Sequence, residues 1–160
     1  MVEKLRVYFA CAIRGEQGGA EEKELIVRTI QNLGHEVLSE RFLGQDIKVN
    51  ELGQGMSPEE ICQRDLDWIT MADVLVADVS RISHGVGFEI GWAASKGKPV
   101  TVLCREDKYD GLSNMLKGFG GTVYSFPGEY KLHSWRGLEY SDDLRKILES
   151  ELGDATIFPS

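Results

Sequence analysis

Two carboxylates occupy positions where the surrounding pattern calls for apolar side chains. Glu89 lies three residues after Val86 and four before Ala93, so it shares the apolar face of a predicted helix. Asp65 lies three residues before Trp68, on the apolar face of a second predicted helix. Carboxyl groups in such settings acquire different pKa values, which allows one to act as a nucleophile and the other to transfer protons. The alternative is structural: Glu89 would complement its helix dipole, and Asp65 would be a cap or a buried hydrogen-bonding group.

The residues before Glu89 predict that this carboxylate lies at the ligand-binding edge of a sheet. The apolar run Val74–Val79 is too short for a helix and typical of a buried strand, and the polar segment Ser80–Gly85 follows it. We place Glu89 in the first turn of the next helix, at the carboxyl end of a parallel strand, where open α/β sheets bind ligands. Gly85 and Gly87 just before it indicate that a ligand approaches the backbone closely.

A second candidate binding feature is the glycine-rich connection Cys11–Gly19, which follows the predicted first strand Leu5–Ala10. Backbone amides between a strand and a helix N-terminus bind anions even in an acidic protein, and we assign this role to Ile13 and Gly15. Arg14 between them adds a guanidinium that can bind an anion through two hydrogen bonds. The alternative for Arg14 is an ordinary surface arginine.

The rest of the pattern alternates strands with helices. A capping box at 57–60, with proline at the first helical position, begins the helix that carries Asp65 and ends near Ala72. Further strands are predicted at Glu36–Leu38, Val100–Cys104 and Thr122–Phe126, and further helices at Ala20–Leu33, Leu112–Lys117 and Ser141–Glu151, the last capped by Ser141 and Asp142. The segment 39–56 has no clear period and is predicted to be a lid or a binding loop, and 127–140 a second loop. This alternation predicts a doubly wound, Rossmann-like α/β fold, with a five-stranded parallel sheet and helices on both faces.

The length, net charge and cysteine content of the chain restrict the classes of function that it can have. The chain has 160 residues, and we assign one domain to residues 1–152 and a tail to 153–160. Its net charge of −8 argues against a nucleic acid as partner, whereas a small anionic substrate needs only a local positive site. Cys11, Cys62 and Cys104 form no zinc-binding or CxxC pattern, so we expect reduced thiols, a cytoplasmic protein and no metal or cofactor. Neither a signal peptide nor a membrane-spanning run is predicted.

Three segments resemble a known family when they are taken together and in order. The segments YFACAIRG, QRDLDWITMADVLVADVS and SHGVGFEIGWA resemble the nucleoside 2-deoxyribosyltransferase superfamily, and within it the 2′-deoxynucleoside 5′-phosphate N-hydrolases. The resemblance extends from Leu5 to Phe119. It implies an enzyme that hydrolyses the bond between base and sugar in a 2′-deoxynucleoside 5′-monophosphate, releasing free base and 2-deoxyribose 5-phosphate.

The resemblance also implies roles for three catalytic residues. The family's GxGxE segment is matched by Gly85–Glu89, which makes Glu89 the nucleophile that forms a glycosyl intermediate. Its D-L-x-W segment makes Asp65 the partner of this carboxylate. Tyr8 in the first strand would lie near the 2′ carbon of the sugar. The alternative for Tyr8 is a core aromatic residue.

The phosphate site implied by the resemblance draws on two subunits. Arg14 and Ser83 would contact the phosphate from one subunit, and Ser113 would reach it from the second subunit of a homodimer. The family's serine before the I-R-G sequence is Ala12 here, which removes one side-chain donor. From the sequence pattern alone, the alternative for Ser83 is a loop serine, and the alternative for Ser113 is the N-cap of a short helix.

Three other functions stay open at this stage. A deoxyribosyltransferase would carry an acidic residue in place of Ser83, and a ribonucleotide hydrolase of the cytidine-monophosphate type would carry phenylalanine in place of Tyr8. A non-catalytic nucleotide-binding module would keep Arg14 and the glycines but would not need Glu89 on an apolar face. Base preference is not predicted, because it depends on the irregular segment 39–56.

Overall fold

The computed structural model describes residues 2–13, 19–39 and 55–157. The strands are β1 Arg6–Ala10, β2 Glu36–Val37, β3 Val74–Asp78, β4 Val100–Arg105 and β5 Tyr130–Trp135. The α-helices are α1 Ala20–Asn32, α2 Pro58–Met71, α3 His84–Ser95, α4 Asn114–Gly118 and α5 Ser141–Leu152. Short 3₁₀ helices occupy Glu106–Gly111, Phe119–Gly121 and Leu138–Tyr140.

The five strands form one parallel sheet in the order β2-β1-β3-β4-β5. The connection from β1 leads outward to β2, and the chain then returns past β1 to β3, so the strand order reverses between β1 and β3. Open α/β sheets bind ligands at such a reversal, outside the carboxyl ends of the strands. The predicted doubly wound fold is confirmed.

Helices cover both faces of the sheet and divide the core in two. On one face α1 and α5 pack over the sheet, with Ile26 and Leu144 fully buried. On the other face α2 and α3 pack through Ile69 and Ile90. Because side chains alternate along a strand, Tyr8 of β1 points to the face of α2 and α3.

The helix that carries Asp65 begins as predicted. The Ser57 hydroxyl accepts a hydrogen bond from the Glu60 N–H at 3.2 Å, and a Glu60 carboxylate oxygen accepts one from the Ser57 N–H at 2.8 Å. Pro58 follows at the first helical position, where its missing N–H costs nothing. The capping box therefore fixes where α2 enters the site.

The predicted last strand was placed too early. The segment Thr122–Phe126 forms turns, and Val123 and Tyr124 are exposed. The strand that pairs with β4 is Tyr130–Trp135, which had been predicted to be a loop. Its end residues Tyr130 and Trp135 are buried. The two segments have similar β propensity, and the one whose side chains are buried forms the strand.

Three smaller predictions about helix starts were wrong. The helix α3 begins at His84, which places Glu89 in its second turn and not its first. The short helix predicted from Leu112 begins at Asn114, after a 3₁₀ helix. The closing helix has Tyr140 at its N-cap position with no side-chain cap hydrogen bond, so Ser141 and Asp142 do not cap it.

The last described residues lie against α1. The Ala155 N–H donates to the Leu33 carbonyl at 2.8 Å, and His35 Nε2 lies 2.9 Å from the Gly153 carbonyl. Among residues 2–13, 19–39 and 55–157, none of the helices combines the length and the apolar character that crossing a bilayer requires.

Candidate active site

A cavity of about 870 Å³ opens at the carboxyl ends of β1 and β3. It lies between α2 and the first turns of α3, at the point where the strand order reverses. Its walls are mainly apolar, and its polar side chains include Asp65, Ser83, His84 and Glu89. An apolar cavity with a few converging polar groups is the usual form of a small-molecule site.

Glu89, which lines this cavity, accepts a hydrogen bond from the buried Tyr8. The Tyr8 hydroxyl donates to Glu89 Oε1 at 2.6 Å, across 81 residues of sequence. Tyr8 is 4% exposed, so the phenol is held by the core below the cavity. Such a short O–H···O⁻ distance is typical of a hydrogen bond to an ionised acceptor. The sheet therefore fixes one oxygen of Glu89 through a residue of another element.

The environment of Glu89 raises its pKa to about 7, and burial is the main cause. The negative charge of Asp65 also raises the pKa of Glu89. The hydrogen bond from Tyr8 lowers this pKa because it favours the anion, and the positive charge of Arg64 lowers it as well. Burial and the nearby carboxylates also raise the pKa of the Tyr8 phenol, which stays a donor. A carboxyl whose pKa is raised by burial beside a second carboxylate is a candidate catalytic group.

Asp65 enters the site from α2 and is held by its neighbour Arg64. Arg64 Nε and Nη2 both lie 2.8 Å from Asp65 Oδ1, and the side chains are 16% and 19% exposed. The guanidinium also stacks over the Trp68 ring, with its central carbon 5.0 Å from the ring centroid. The sequence pattern did not predict Arg64, because adjacent residues on a helix normally point about 100° apart.

Ser83 caps α3 and lines the cavity at the same time. Its hydroxyl oxygen accepts a hydrogen bond from the Val86 N–H at 3.3 Å, a helix cap that the sequence analysis did not predict. The hydroxyl hydrogen is not used by this bond and can still be donated to a ligand. Ile13 and Gly85 also line the cavity, and Ile13 is 45% exposed.

The glycines of α3 are not required by the packing of the chain itself. A Cβ atom added at Gly87 would meet no atom within 4 Å, and one at Gly85 would meet only the Ser83 hydroxyl at 3.8 Å. Glycine inside a helix costs about 1 kcal/mol relative to alanine, and no internal contact explains that cost here. The predicted close approach of a ligand at these two positions stays a prediction.

The predicted anion-binding connection is only partly described. Arg14 and Gly15 lie outside the described residues. At its start Cys11 and Ala12 are buried, and the Lys23 ammonium of α1 donates to the Ala12 carbonyl. Burial raises the pKa of the Cys11 thiol to about 12, so this cysteine is held as a thiol.

Ser113 does not share the main cavity. It caps α4, its hydroxyl accepting from the Met115 N–H at 3.2 Å. It lines a second, smaller cavity of about 430 Å³. The residues common to both cavities are Ile82, Ser83, His84 and Val86. Within one chain, Ser113 is thus separated from Glu89 by the segment that carries Ser83.

The described part of the chain contains no cluster of three or more His, Cys, Asp or Glu side chains that could hold a metal ion. Among the described residues, the polar and ionisable side chains that line the main cavity include two carboxylates, a serine, an imidazole and two thiols, with the Tyr8 phenol and the Arg64 guanidinium bonded to the carboxylates. Most enzymes that cleave glycosidic bonds use a pair of carboxyl groups.

Comparison with known proteins agrees with this chemistry. The family model described as nucleoside 2-deoxyribosyltransferase matches residues 7–150. The 5-hydroxymethyl-dUMP N-hydrolase of Rattus norvegicus is 37% identical over 116 residues, covering 70% of this chain and 68% of its own. The enzyme of the same name from Esox lucius is 32% identical over 148 residues, covering 89% and 99%. Among solved structures, the CMP N-glycosidase of Clostridium botulinum shares the fold, with a TM-score of 0.62, 22% identity, and coverage of 92% of this chain and 99% of its own.

Proposed function

The chain belongs to the nucleoside 2-deoxyribosyltransferase family, and from this membership we propose that it hydrolyses the N-glycosidic bond of 2′-deoxynucleoside 5′-monophosphates. The products are the free base and 2-deoxyribose 5-phosphate. The similar proteins of Rattus norvegicus and Esox lucius are named as N-hydrolases of one such nucleotide. The similarity covers 68% of the length of the Rattus norvegicus protein and 99% of that of the Esox lucius protein, so it is not confined to a short segment of either relative.

The observation that carries the proposal is the hydrogen bond from Tyr8 to Glu89, a carboxylate that lines the cavity together with Asp65. Cleavage of an N-glycosidic bond develops positive charge at the anomeric carbon, which a carboxylate beside it stabilises or captures. In the proposed reaction Glu89 forms a bond to the anomeric carbon as the bond to the base breaks. The departing base takes up one proton from Asp65 or from solvent.

Water completes the proposed reaction. It attacks the anomeric carbon, the ester bond to Glu89 breaks, and the proton of the water passes to a carboxylate. Two displacements at one carbon give net retention of configuration. Because Tyr8 holds one oxygen of Glu89, the second oxygen is the one directed at the sugar, which explains why the phenol belongs to the site.

Tyr8 also provides the preference for a 2′-deoxy sugar in this proposal. Its hydroxyl already donates to Glu89 Oε1, and in this proposal the 2′ carbon of the sugar lies beside that hydrogen bond. A ribonucleotide would have to displace this buried bond or clash with the phenol. Sites that must leave a buried polar group unpaired discriminate strongly between substrates.

The 5′-phosphate is assigned to the connection after β1 and to Ser83. Ser83 lies at the N-terminus of α3, where a helix favours an anion, and its hydroxyl hydrogen is available. Arg14, with the backbone amides of Ile13 and Gly15, completes the proposed phosphate site. The acidic side chain expected of a deoxyribosyltransferase at position 83 would repel this phosphate.

The proposed active unit is a homodimer in which Ser113 reaches the phosphate of the partner subunit. Ile82 and Met115, which line the second cavity, are 81% and 79% exposed. Together with the open backbone at Gly87, these side chains form an apolar surface beside the substrate site. A two-fold contact through this surface would bury these side chains and bring the Ser113 of each chain near the other site.

The proposed compartment is the cytoplasm. All three cysteines are unpaired, and Cys62 is exposed. Exposed and unpaired thiols are typical of proteins in a reducing compartment.

The test is chromatography of the products formed from a matched panel of substrates. The panel contains each common 2′-deoxynucleoside 5′-monophosphate, its unphosphorylated nucleoside and its ribonucleotide, each with and without a second free base. Base and 2-deoxyribose 5-phosphate should appear from the deoxynucleotides alone. A new nucleoside formed with the second base would establish a transferase, ribonucleotide cleavage would establish an enzyme of the CMP type, and binding without turnover would establish a non-catalytic module.

A further inference from the structure

Arg64 and Asp65 make an ion pair that the helix does not provide by itself. They are consecutive residues of α2, and consecutive side chains leave a helix about 100° apart. The Arg64 side chain nevertheless turns so that Nε and Nη2 both lie 2.8 Å from Asp65 Oδ1. An arrangement that requires such a turn of a long side chain needs other contacts to hold it.

Those contacts are present on two sides of the guanidinium. The Trp68 ring lies below it, 5.0 Å from ring centroid to guanidinium carbon, and the Met56 sulfur lies 3.7 Å from Nη1. The Arg64 side chain is 16% exposed and that of Asp65 19%, so water screens the pair poorly. Buried pairs of this kind keep both groups charged, because each stabilises the ionised form of the other.

The ionisable groups that face Glu89 or line its cavity come from four places in the described chain: Tyr8 of β1, Cys11 of the following connection, Cys62, Arg64 and Asp65 of α2, and His84 of α3. The charge of Asp65 raises the proton affinity of Glu89, and the charge of Arg64 lowers it. Arg64 is therefore a positive charge that counteracts the repulsion between the two neighbouring carboxylates.

We propose that Arg64 is a positioning residue that keeps Asp65 and Glu89 ionised together and gives Asp65 the role of proton acceptor toward the attacking water. This inference rests on the proposed function and decides a point that it leaves open, namely whether Asp65 gives a proton to the base or takes one from water. An aspartate bound by two guanidinium N–H groups takes up a proton from an attacking water but has none to give. The departing base is then protonated by solvent water.

Two measurements test the inference. The first is the pH dependence of kcat/KM, and the second is the titration of the Glu89 and Asp65 carboxyl ¹³C signals by NMR, assigned with Glu89→Gln and Asp65→Asn. In the wild type, kcat/KM should rise through neutral pH to a plateau, because Glu89 must be ionised to attack the anomeric carbon and the base leaves without a proton from Asp65. In Arg64→Gln the rise and the first carboxyl titration should both move up by about one pH unit, since an adjacent opposite charge is removed. At a pH one unit below the wild-type midpoint, kcat/KM should fall about tenfold further.

The variants separate charge from packing. Arg64→Lys keeps the charge and should restore the position of the acid limb while leaving kcat reduced, because an ammonium cannot make the forked contact. Asp65→Asn should move the Glu89 titration down. The matched control is Arg136→Gln, since Arg136 also binds an aspartate through Nε and Nη2, at 2.7 and 2.8 Å from Asp143, and stacks on a ring, that of Tyr140. It lies outside both cavities and should leave the profile unchanged.

Two results would overturn the inference. One is an unchanged carboxyl titration in a folded Arg64→Gln protein, which would make Arg64 a packing residue only. The other is a wild-type kcat/KM that falls above neutral pH, which would mean that a protonated Asp65 or Glu89 is needed. If the wild type cleaves no nucleotide, the proposed function is wrong, and the NMR titration of the same variants still decides whether Arg64 controls the two carboxyls.

Discussion

Replacing Glu89 by glutamine should stabilise the folded protein while it abolishes turnover. Glu89 is held in an apolar cavity where burial raises its pKa from an ordinary value of 4.5 to about 7. The charged form is therefore disfavoured in the folded state relative to the unfolded chain. Glutamine has nearly the same shape, its amide oxygen can still accept the Tyr8 hydroxyl at the 2.6 Å position, and it carries no charge.

The sign and size of the effect follow from linkage. A group whose pKa is raised on folding contributes stability below its unfolded pKa and loses it as the pH rises through its folded pKa. For Glu89 the loss runs from about pH 4.5 to about pH 7 and amounts to about 3 kcal/mol once the group is ionised in both states. The difference between Glu89→Gln and wild type should thus be near zero at pH 4.5 and about 2–3 kcal/mol at pH 8.

The assay is urea unfolding of both proteins at several pH values between 4.5 and 8, with the free energy of unfolding extrapolated to water. The control is Glu139→Gln at an exposed glutamate outside the cavities, which should give a difference that does not change with pH. Equal stability of Glu89→Gln and wild type at pH 8 would refute the reasoning. The reasoning would also be refuted if the difference in the free energy of unfolding between Glu89→Gln and wild type became smaller as the pH rises. That result would mean that ionising Glu89 does not destabilise the folded protein.

Three further predictions concern the substrate and the assembly. Tyr8→Phe should lower the ratio of kcat/KM for deoxy- and ribonucleotides by about tenfold or more, measured on matched monophosphates, and equal use of both sugars by the wild type would contradict the role of Tyr8. Arg14→Ala should raise KM for the nucleotide by an amount equivalent to about 1.5–3 kcal/mol, and an unchanged KM would remove Arg14 from the phosphate site. Light scattering at assay concentration should show a dimer, and a fully active monomer would exclude a contribution of Ser113 across an interface.

Much of the fold could be predicted because its signals are local. The capping box at 57–60 and the valine-rich run of β3 each fix an element without help from distant residues. The two carboxylates were found because an acidic residue on an apolar helix face is visible in the periodicity. Both Glu89 and Asp65 line one cavity, although neither their separation nor their partners can be derived from spacing.

The parts that could not be predicted depend on tertiary packing. Two short runs, Thr122–Phe126 and Tyr130–Trp135, have similar strand character, and only pairing with β4 selects the second. The start of α3 at His84 depends on the cap that Ser83 provides, and this moves Glu89 one turn further into the helix. The pair of Arg64 and Asp65 has no periodic signal at all, because it joins neighbours that a helix separates.

The central claim is that Glu89 cleaves a base from a 2′-deoxynucleoside 5′-monophosphate. Its most direct test is the rate of base release from the best deoxynucleotide by wild type and by Glu89→Ala, with chromatography of base and sugar phosphate from the same reaction. We predict equal amounts of the two products from the wild type, and a rate about a thousandfold or more lower in the variant, because a covalent step is lost. Base release by Glu89→Ala at a rate close to that of the wild type would contradict the claim.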